Sequence, residues 1–154
     1  MNKIYLKIIT PERILFEESV DQVSLPSKQG EITVLPNHIP LISLLRSGEI
    51  IITAEKKKTL LVISGGFAEI TGSKILILAD TAERIEEIDE KRALEAKERA
   101  EKLIKDVKID SQDYAALSAK IEKELARIHV WRKHRMRIDQ LGTGEKKYNE
   151  ENSK

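Results

Sequence analysis

The hydrophobic period of this 154-residue chain changes once, near Asp80, and that change restricts it to two kinds of structure joined in series. Before it, apolar residues come in short runs. Ile4, Leu6 and Ile8 alternate with Tyr5, Lys7 and Ile9, the period of a strand with one buried face, and Pro11 ends the run. Further strands are expected at Ile14 to Phe16 and Val20 to Leu25, separated by the polar Glu17-Glu18-Ser19, and at 49–53, 59–63, 67–70 and 74–79. Glu55 to Lys58 reads as a charged hairpin tip that discourages edge pairing. Thr71-Gly72-Ser73 reads as a turn with Gly72 at the positive-φ position. About ten short strands with frequent turn signals predict a β-sandwich or flattened barrel over residues 1–84.

After the change the period is helical. Between Asp89 and Lys108 there is no Gly or Pro, and Ala93, Ala96, Ala100, Leu103, Ile104 and Val107 recur at helical spacing. Asp89 is the expected N-cap of this helix. A polar break at Lys108 to Gln112 contains Ser111, a candidate cap for a second helix. There Tyr114, Leu117, Ile121, Leu125, Ile128 and Trp131 make one narrow stripe. Two helices and a short loop predict an antiparallel hairpin over 88–137, giving an α+β protein. Residues 138–154 lose the period and are expected to form a frayed polar tail.

Within the first part, one stretch is stiff. Val23 and Leu25 face Ile32 and Val34 across a turn built on Pro26, Ser27 and Gly30. Leu35-Pro36-Asn37-His38-Ile39-Pro40 follows. Two prolines within five residues remove two backbone donors and push their predecessors toward extended conformations, so a shaped connection is expected here and not a strand interior. The polar Asn37-His38 pair would then be presented outward.

Composition narrows the chemistry. The chain has no cysteine, which removes disulfides, thiol nucleophiles and sulfur-ligated metals. Its apolar runs are too short to span a bilayer and no charged-then-apolar leader is read, so a soluble chain is expected. Of the three histidines, His129 and His134 are five apart on a helix and diverge, so neither a metal site nor a general base is expected. Gly65-Gly66 lacks a following Lys-Ser/Thr and reads as a strand kink or close backbone contact, not a phosphate loop. The net charge of +1 hides a split: residues 1–88 hold 10 basic and 12 acidic side chains, and the remainder holds 17 and 14. The basic run Arg127, Arg132, Lys133, Arg135 and Arg137 surrounds Trp131. With one aromatic and a crowd of acidic neighbours it is a poor nucleic-acid reader. Its plainest account is that cations near a helix C-terminus complement the macrodipole.

The run PSKQGEITVLPNHIPLISLLRSGEI, then Gly65-Gly66-Phe67-Ala68-Glu69-Ile70 and Ile77-Leu78-Ala79-Asp80, resembles the epsilon subunit of F-type ATP synthases, in order and spacing, to about Arg137. The resemblance implies a non-catalytic central-stalk subunit on the cytoplasmic face of a bacterial plasma membrane. It would join the gamma subunit to the membrane c-ring, reaching the membrane through the complex alone. Its hairpin would inhibit ATP hydrolysis by the alpha and beta catalytic subunits, and no nucleic acid is implied. Glu31 is carried over as a contact to the ring, His38 as one to gamma, with Asn37 beside it. Ile88-Asp89-Glu90-Lys91-Arg92-Ala93 resembles the Ile/Leu-Asp-x-x-Arg-Ala motif with which some bacterial members bind ATP as a regulatory ligand. A carboxylate there can accept from the adenine amino group and guanidinium groups can pair with phosphates. By the same alignment Glu83, Arg99, Lys123 and Arg127 complete the pocket, with Lys123 standing where tight binders carry arginine. Arg127, Arg132, Lys133, Arg135 and Arg137 are the implied contact to the beta subunit. A stand-alone nucleotide sensor and a basic-helix interaction module are the readings from other classes.

Overall fold

A computed structural model describes residues 2–151, with side chains through Ile138. Ten strands come first: β1 Ile4–Ile9, β2 Ile14–Val20, β3 Gln22–Ser27, β4 Gly30–Val34, β5 His38–Leu45, β6 Gly48–Ala54, β7 Lys57–Ile63, β8 Gly66–Gly72, β9 Lys74–Ala79 and β10 Ala82–Arg84. They form one sheet in the order β10-β7-β6-β3-β5-β8-β9-β1-β2, with β4 paired to β3. The sheet folds over on itself. Ile4, Leu6 and Ile8 of β1, Ile50 and Ile52 of β6, Leu61 and Ile63 of β7 and Ile75 and Ile77 of β9 meet in one core and are almost wholly buried. The pairs are antiparallel except β1 with β9, which is parallel.

Two strands differ from expectation, each for a local reason. β2 runs straight through Glu17-Glu18-Ser19, because the ladder holds those residues opposite Lys7, Leu6 and Tyr5, and Lys7 and Tyr5 both donate to Glu17. The second is β5, which begins at His38 and contains Pro40. Its pairing with β8 shifts register between His38 and Leu41, an irregularity of the kind at which a strand admits proline. The stiff connection is thereby shortened to one turn, closed by the His38 amide on the Leu35 carbonyl at 3.1 Å. Pro36 at the second position and Asn37 at φ 66° are the type II pattern, in which the third residue must be left-handed.

β7 explains how the helices attach. Leu61 and Ile63 point into the sheet core, and the alternate residues Leu60 and Val62 are buried as well. A strand buried on both faces reads as an unbroken apolar run, as Leu60 to Ile63 does. The second cover consists of Ile85 in the one-turn 3-10 helix Ile85–Glu87, Ile88, and Val130, flanked by Ile51, Ala126 and Trp131. Burying a side chain of this size contributes about 1.5–3 kcal/mol, so the hairpin is held on the sandwich by a core of its own.

The helices are α1, Glu90–Ile104, and α2, Gln112–Glu151. Asp89 caps α1, accepting from the Arg92 amide at 3.1 Å, and Ser111 accepts from the Tyr114 amide at 3.1 Å. Asp89→Ala is expected to cost about 1 kcal/mol of hairpin stability, read as an earlier urea midpoint in the helical circular dichroism signal, while Asp89→Asn retains most of it. Ala93 and Ala100 are fully buried where α1 lies against α2. The expected stripes need correction. Leu103 and Leu125 are exposed, and α2 has a second inner face, Ala126 and Val130, turned to the sandwich. The backbone also continues helical to Glu151 where a tail was expected after Arg137. No proline follows Pro40, and single glycines such as Gly142 and Gly144 cost a helix about 1 kcal/mol each without stopping it.

Candidate functional site

Cations of α2 meet carboxylates along the seam between hairpin and sandwich. Arg127 donates from Nη1 to Glu124 Oε2 at 2.7 Å and from Nη2 to Glu83 Oε2 on β10 at 3.1 Å. Its Nε lies 2.5 Å from Glu83 Oε1 without hydrogen-bond alignment. Burial pulls the Arg127 pKa down, but the hydrogen bond to Glu124 and the charge of Glu83 outweigh it, and the net shift is upward. Lys133 Nζ donates to Glu49 Oε2 on β6 at 2.8 Å, and Arg137 reaches Glu49 Oε1 at 3.7 Å. Arg132 Nε donates to Glu90 Oε1 at 2.6 Å, tying the late part of α2 to the start of α1 as an antiparallel hairpin requires. Arg135 stacks over Trp131, 5.3 Å from the ring centre.

These pairings change the account of the basic run. Since α2 continues beyond it, the run is not at a helix terminus and the macrodipole does not explain it. Folded partners do: Arg127, Arg132, Lys133 and Arg137 each have a carboxylate.

The residues expected around a nucleotide fall into two groups. Glu83, Lys123 and Arg127 line one cleft of about 510 Å³ together with Thr10, Arg13 and Asp80. Asp89, Arg92 and Arg99 stand on or at the head of α1 and do not line it. Arg92 is exposed and 3.6 Å from the Asp89 carboxylate, whereas Ile88 and Ala93 are buried. The Asp89 carboxylate is already spent on capping.

Glu31 and the Asn37-His38 pair are separated as well. Glu31 sits at the β3–β4 hairpin, opposite Pro26, and lines a second cleft of about 410 Å³ with Arg46, Glu49, His129 and Lys133. Asn37 and His38 lie at the other end of β4, where the Asn37 amide donates to Gly72 O at 2.7 Å and His38 pairs with Gly72. His38 Nδ1 is 2.7 Å from Ile39 O, a local contact to the next residue of β5.

One surface escaped the sequence reading. Leu44 on β5, Phe67 on β8, Leu78 on β9, Ile9 on β1 and Ile14 on β2 are successive partners in register across five strands. Four of them are 47–55% exposed, and Ile42, 75% exposed, lies two residues along β5. A row of this size on the outer face of a sheet marks an interaction site more often than chance solvent exposure. The alternation that betrays it was visible, but which strands are neighbours was not. Among the described residues no cluster of His, Asp and Glu could hold a metal ion.

The chain matches the family model for the ATP synthase delta/epsilon chain β-sandwich domain over residues 3–85, and that for the long α-helix domain of the same family over residues 86–132. An ATP synthase epsilon chain of Nitratidesulfovibrio vulgaris is 41% identical over 127 residues, covering 82% of this chain and 94% of that relative. One from Dehalococcoides mccartyi is 41% identical over 135 residues, covering 88% and 96%. Among solved structures, a chain of the Euglena gracilis mitochondrial ATP synthase OSCP/F1/c-ring assembly superposes with a TM-score of 0.70 at 25% identity, covering 82% of this chain and 79% of that one.

Proposed function

This chain belongs to the ATP synthase delta/epsilon chain family, and from that membership we propose that it is a non-catalytic subunit of the central stalk. Its sandwich joins the gamma subunit to the membrane c-ring. Its hairpin, when raised, brakes ATP hydrolysis by the alpha and beta subunits. The observation that carries this reading is the division of the sandwich surface. One outer face is covered by the hairpin, and another bears the uncovered apolar row Leu44-Phe67-Leu78-Ile9-Ile14. The row suits a permanent partner, for which gamma is the family's candidate, with His38 and Asn37 at one end of β4 and Glu31 at the other. Membrane attachment then comes through the ring; among the described residues no helix is long and apolar enough to cross a bilayer.

ATP is proposed as a ligand of the lowered form, with Glu83, Lys123 and Arg127 as its cleft-side contacts and Asp89, Arg92 and Arg99 as those on α1. A phosphate drawn to Arg127 competes with Glu83 and Glu124 for the guanidinium. Nucleotide binding and the state of the seam are therefore coupled, and a ligand specific to one arrangement shifts the balance by its differential affinity. The raised hairpin offers Arg127, Arg132, Lys133, Arg135 and Arg137 to the beta subunit.

The test is ATP hydrolysis by the cognate complex assembled with the full chain or with one ending at Arg84. The short chain keeps β10 and carries Leu60→Thr and Val62→Thr, because losing the hairpin bares those side chains. The expected result is normal assembly with hydrolysis raised several-fold. Equal activity in the two complexes removes the brake, and failure of either chain to copurify with gamma removes the stalk role.

A further inference from the structure

Glu49 has no part in the contacts proposed above for ATP, gamma, the ring or the beta subunit, yet it touches the hairpin. Its carboxylate is on β6, 11% exposed at the side chain, and it receives two cations from α2: Lys133 at 2.8 Å and Arg137 at 3.7 Å. The Lys133 contact bridges 84 residues of sequence and the Arg137 contact also joins α2 to β6, so both exist only while the hairpin is down. They lie beyond the apolar seam formed by Leu60, Val62 and Val130, at the C-terminal side of its contact on α2. Glu83 holds Arg127, six residues earlier on α2, so the seam is flanked by an acidic clamp on each side. Glu83 holds one of the cations that the raised hairpin would offer to its partner, and Glu49 holds two.

We propose that Glu49 is an intramolecular latch: it occupies Lys133 and Arg137 in place of an acidic partner surface, so that release of the hairpin is set by competition for those two cations. The inference rests on the reading that the hairpin rises, but adds a named residue and a physical cause for what holds it down. Lifting α2 strands a largely buried carboxylate and two cations at once. An acidic partner repays the cation side of that loss by taking Lys133 and Arg137, and water repays the carboxylate side once Glu49 is uncovered. Salt weakens the latch, because these pairs are partly exposed and screened. The apolar seam beneath is not weakened by salt in this way, so the two contributions separate experimentally.

The chain has no cysteine, which gives a direct readout. Val130→Cys places a single thiol in the seam, where the native side chain is 2% exposed, so a thiol reagent reaches it only when the hairpin lifts. The labelling rate is then proportional to the opening equilibrium even when the raised form is rare. Glu49→Gln is expected to speed labelling roughly three- to tenfold. Added sodium chloride is expected to speed labelling of the parent more than that of Glu49→Gln. Ala68→Cys, fully buried in the sandwich core, serves as the control and should not respond to Glu49→Gln. Equal acceleration of both thiols means general loosening and overturns the latch, as does an unchanged Val130→Cys rate. The charge swap Glu49→Lys with Lys133→Glu and Arg137→Glu should return labelling toward the parent rate; failure to do so would show that shape, not charge, holds the hairpin. Hydrolysis by the assembled complex carrying Glu49→Gln separates the two readings. Faster labelling with unchanged inhibition leaves the latch standing and removes the brake.

Discussion

Gly66→Ala is expected to lower the stability of the sandwich by more than about 3 kcal/mol, the range reached when backbone strain and overpacking coincide. Gly66 opens β8 with φ +142°, a conformation L residues rarely adopt, and a Cβ built there lies 2.0 Å from the Leu78 carbonyl oxygen and 2.9 Å from Ala79 Cα. The obstacle is backbone, not a side chain that can swing away. Nor can β8 retreat: it is paired on both sides, Gly66 facing Ala79 of β9 and Leu45 of β5. Gly30 supplies the control, with a similar φ of +132° and nothing within 4 Å of its would-be Cβ. Gly30→Ala should therefore show the conformational cost alone, about 1 kcal/mol. Urea unfolding of the two variants, followed by circular dichroism, should place Gly66→Ala well below Gly30→Ala. Equal losses would mean that close approach of β8 and β9 is not what fixes glycine at 66.

The contrast between these glycines shows what the sequence could and could not convey. Gly65-Gly66 was legible as a kink or close contact because consecutive glycines before an apolar run have few other uses. Which carbonyl it approaches depends on β9, and nothing local encodes that. The same limit applies across the fold. Strands with regular alternation, such as β1, were legible, and so was the switch to helical period. β5 was not, because Pro40 argues against a strand until the irregular pairing with β8 that absorbs it is known. The inner face of α2 was hidden for a related reason. Ala126 and Val130 are flanked by Arg127 and Lys133, which look solvent-facing but are paired to carboxylates on β10 and β6. The apolar row from Leu44 to Ile14 needs five strands in register, and residue types alone do not supply strand order. Site residues carried by resemblance came as one set, whereas the fold separates Glu31 from Asn37 and His38, and the cleft residues from those on α1.

Arg127→Met is expected to cost about 3 kcal/mol, nearly all of it in attachment of the hairpin, because removing one partner of a largely buried charge cluster leaves the others uncompensated. The side chain of Glu124 is 6% exposed and that of Glu83 24%, and a single guanidinium serves both, one through Nη1 and the other through Nη2. Methionine matches the stem of arginine but answers neither carboxylate. The loss should be read in two signals. Fluorescence of Trp131, which packs at the seam, should report an early transition, and circular dichroism of the strands should lag behind it. Arg127→Lys should fall between, since an ammonium is a compact charge without the fork that reaches two acids. The deciding variant combines Arg127→Met with Glu83→Gln and Glu124→Gln. If stranded charge is the cause, it should recover much of the lost stability although it restores none of the original bonds. If instead it is no more stable than Arg127→Met alone, the packing of the arginine stem is what matters, and the cluster is not the electrostatic hinge of the seam. This control also governs any functional use of the residue. Arg127 is a candidate for ATP and for the beta subunit, so a change in inhibition in Arg127→Met could reflect a lost ligand or a loosened hairpin. Where the triple variant recovers attachment of the hairpin, it still lacks the same cation, and a functional defect that persists in it belongs to the ligand or the partner.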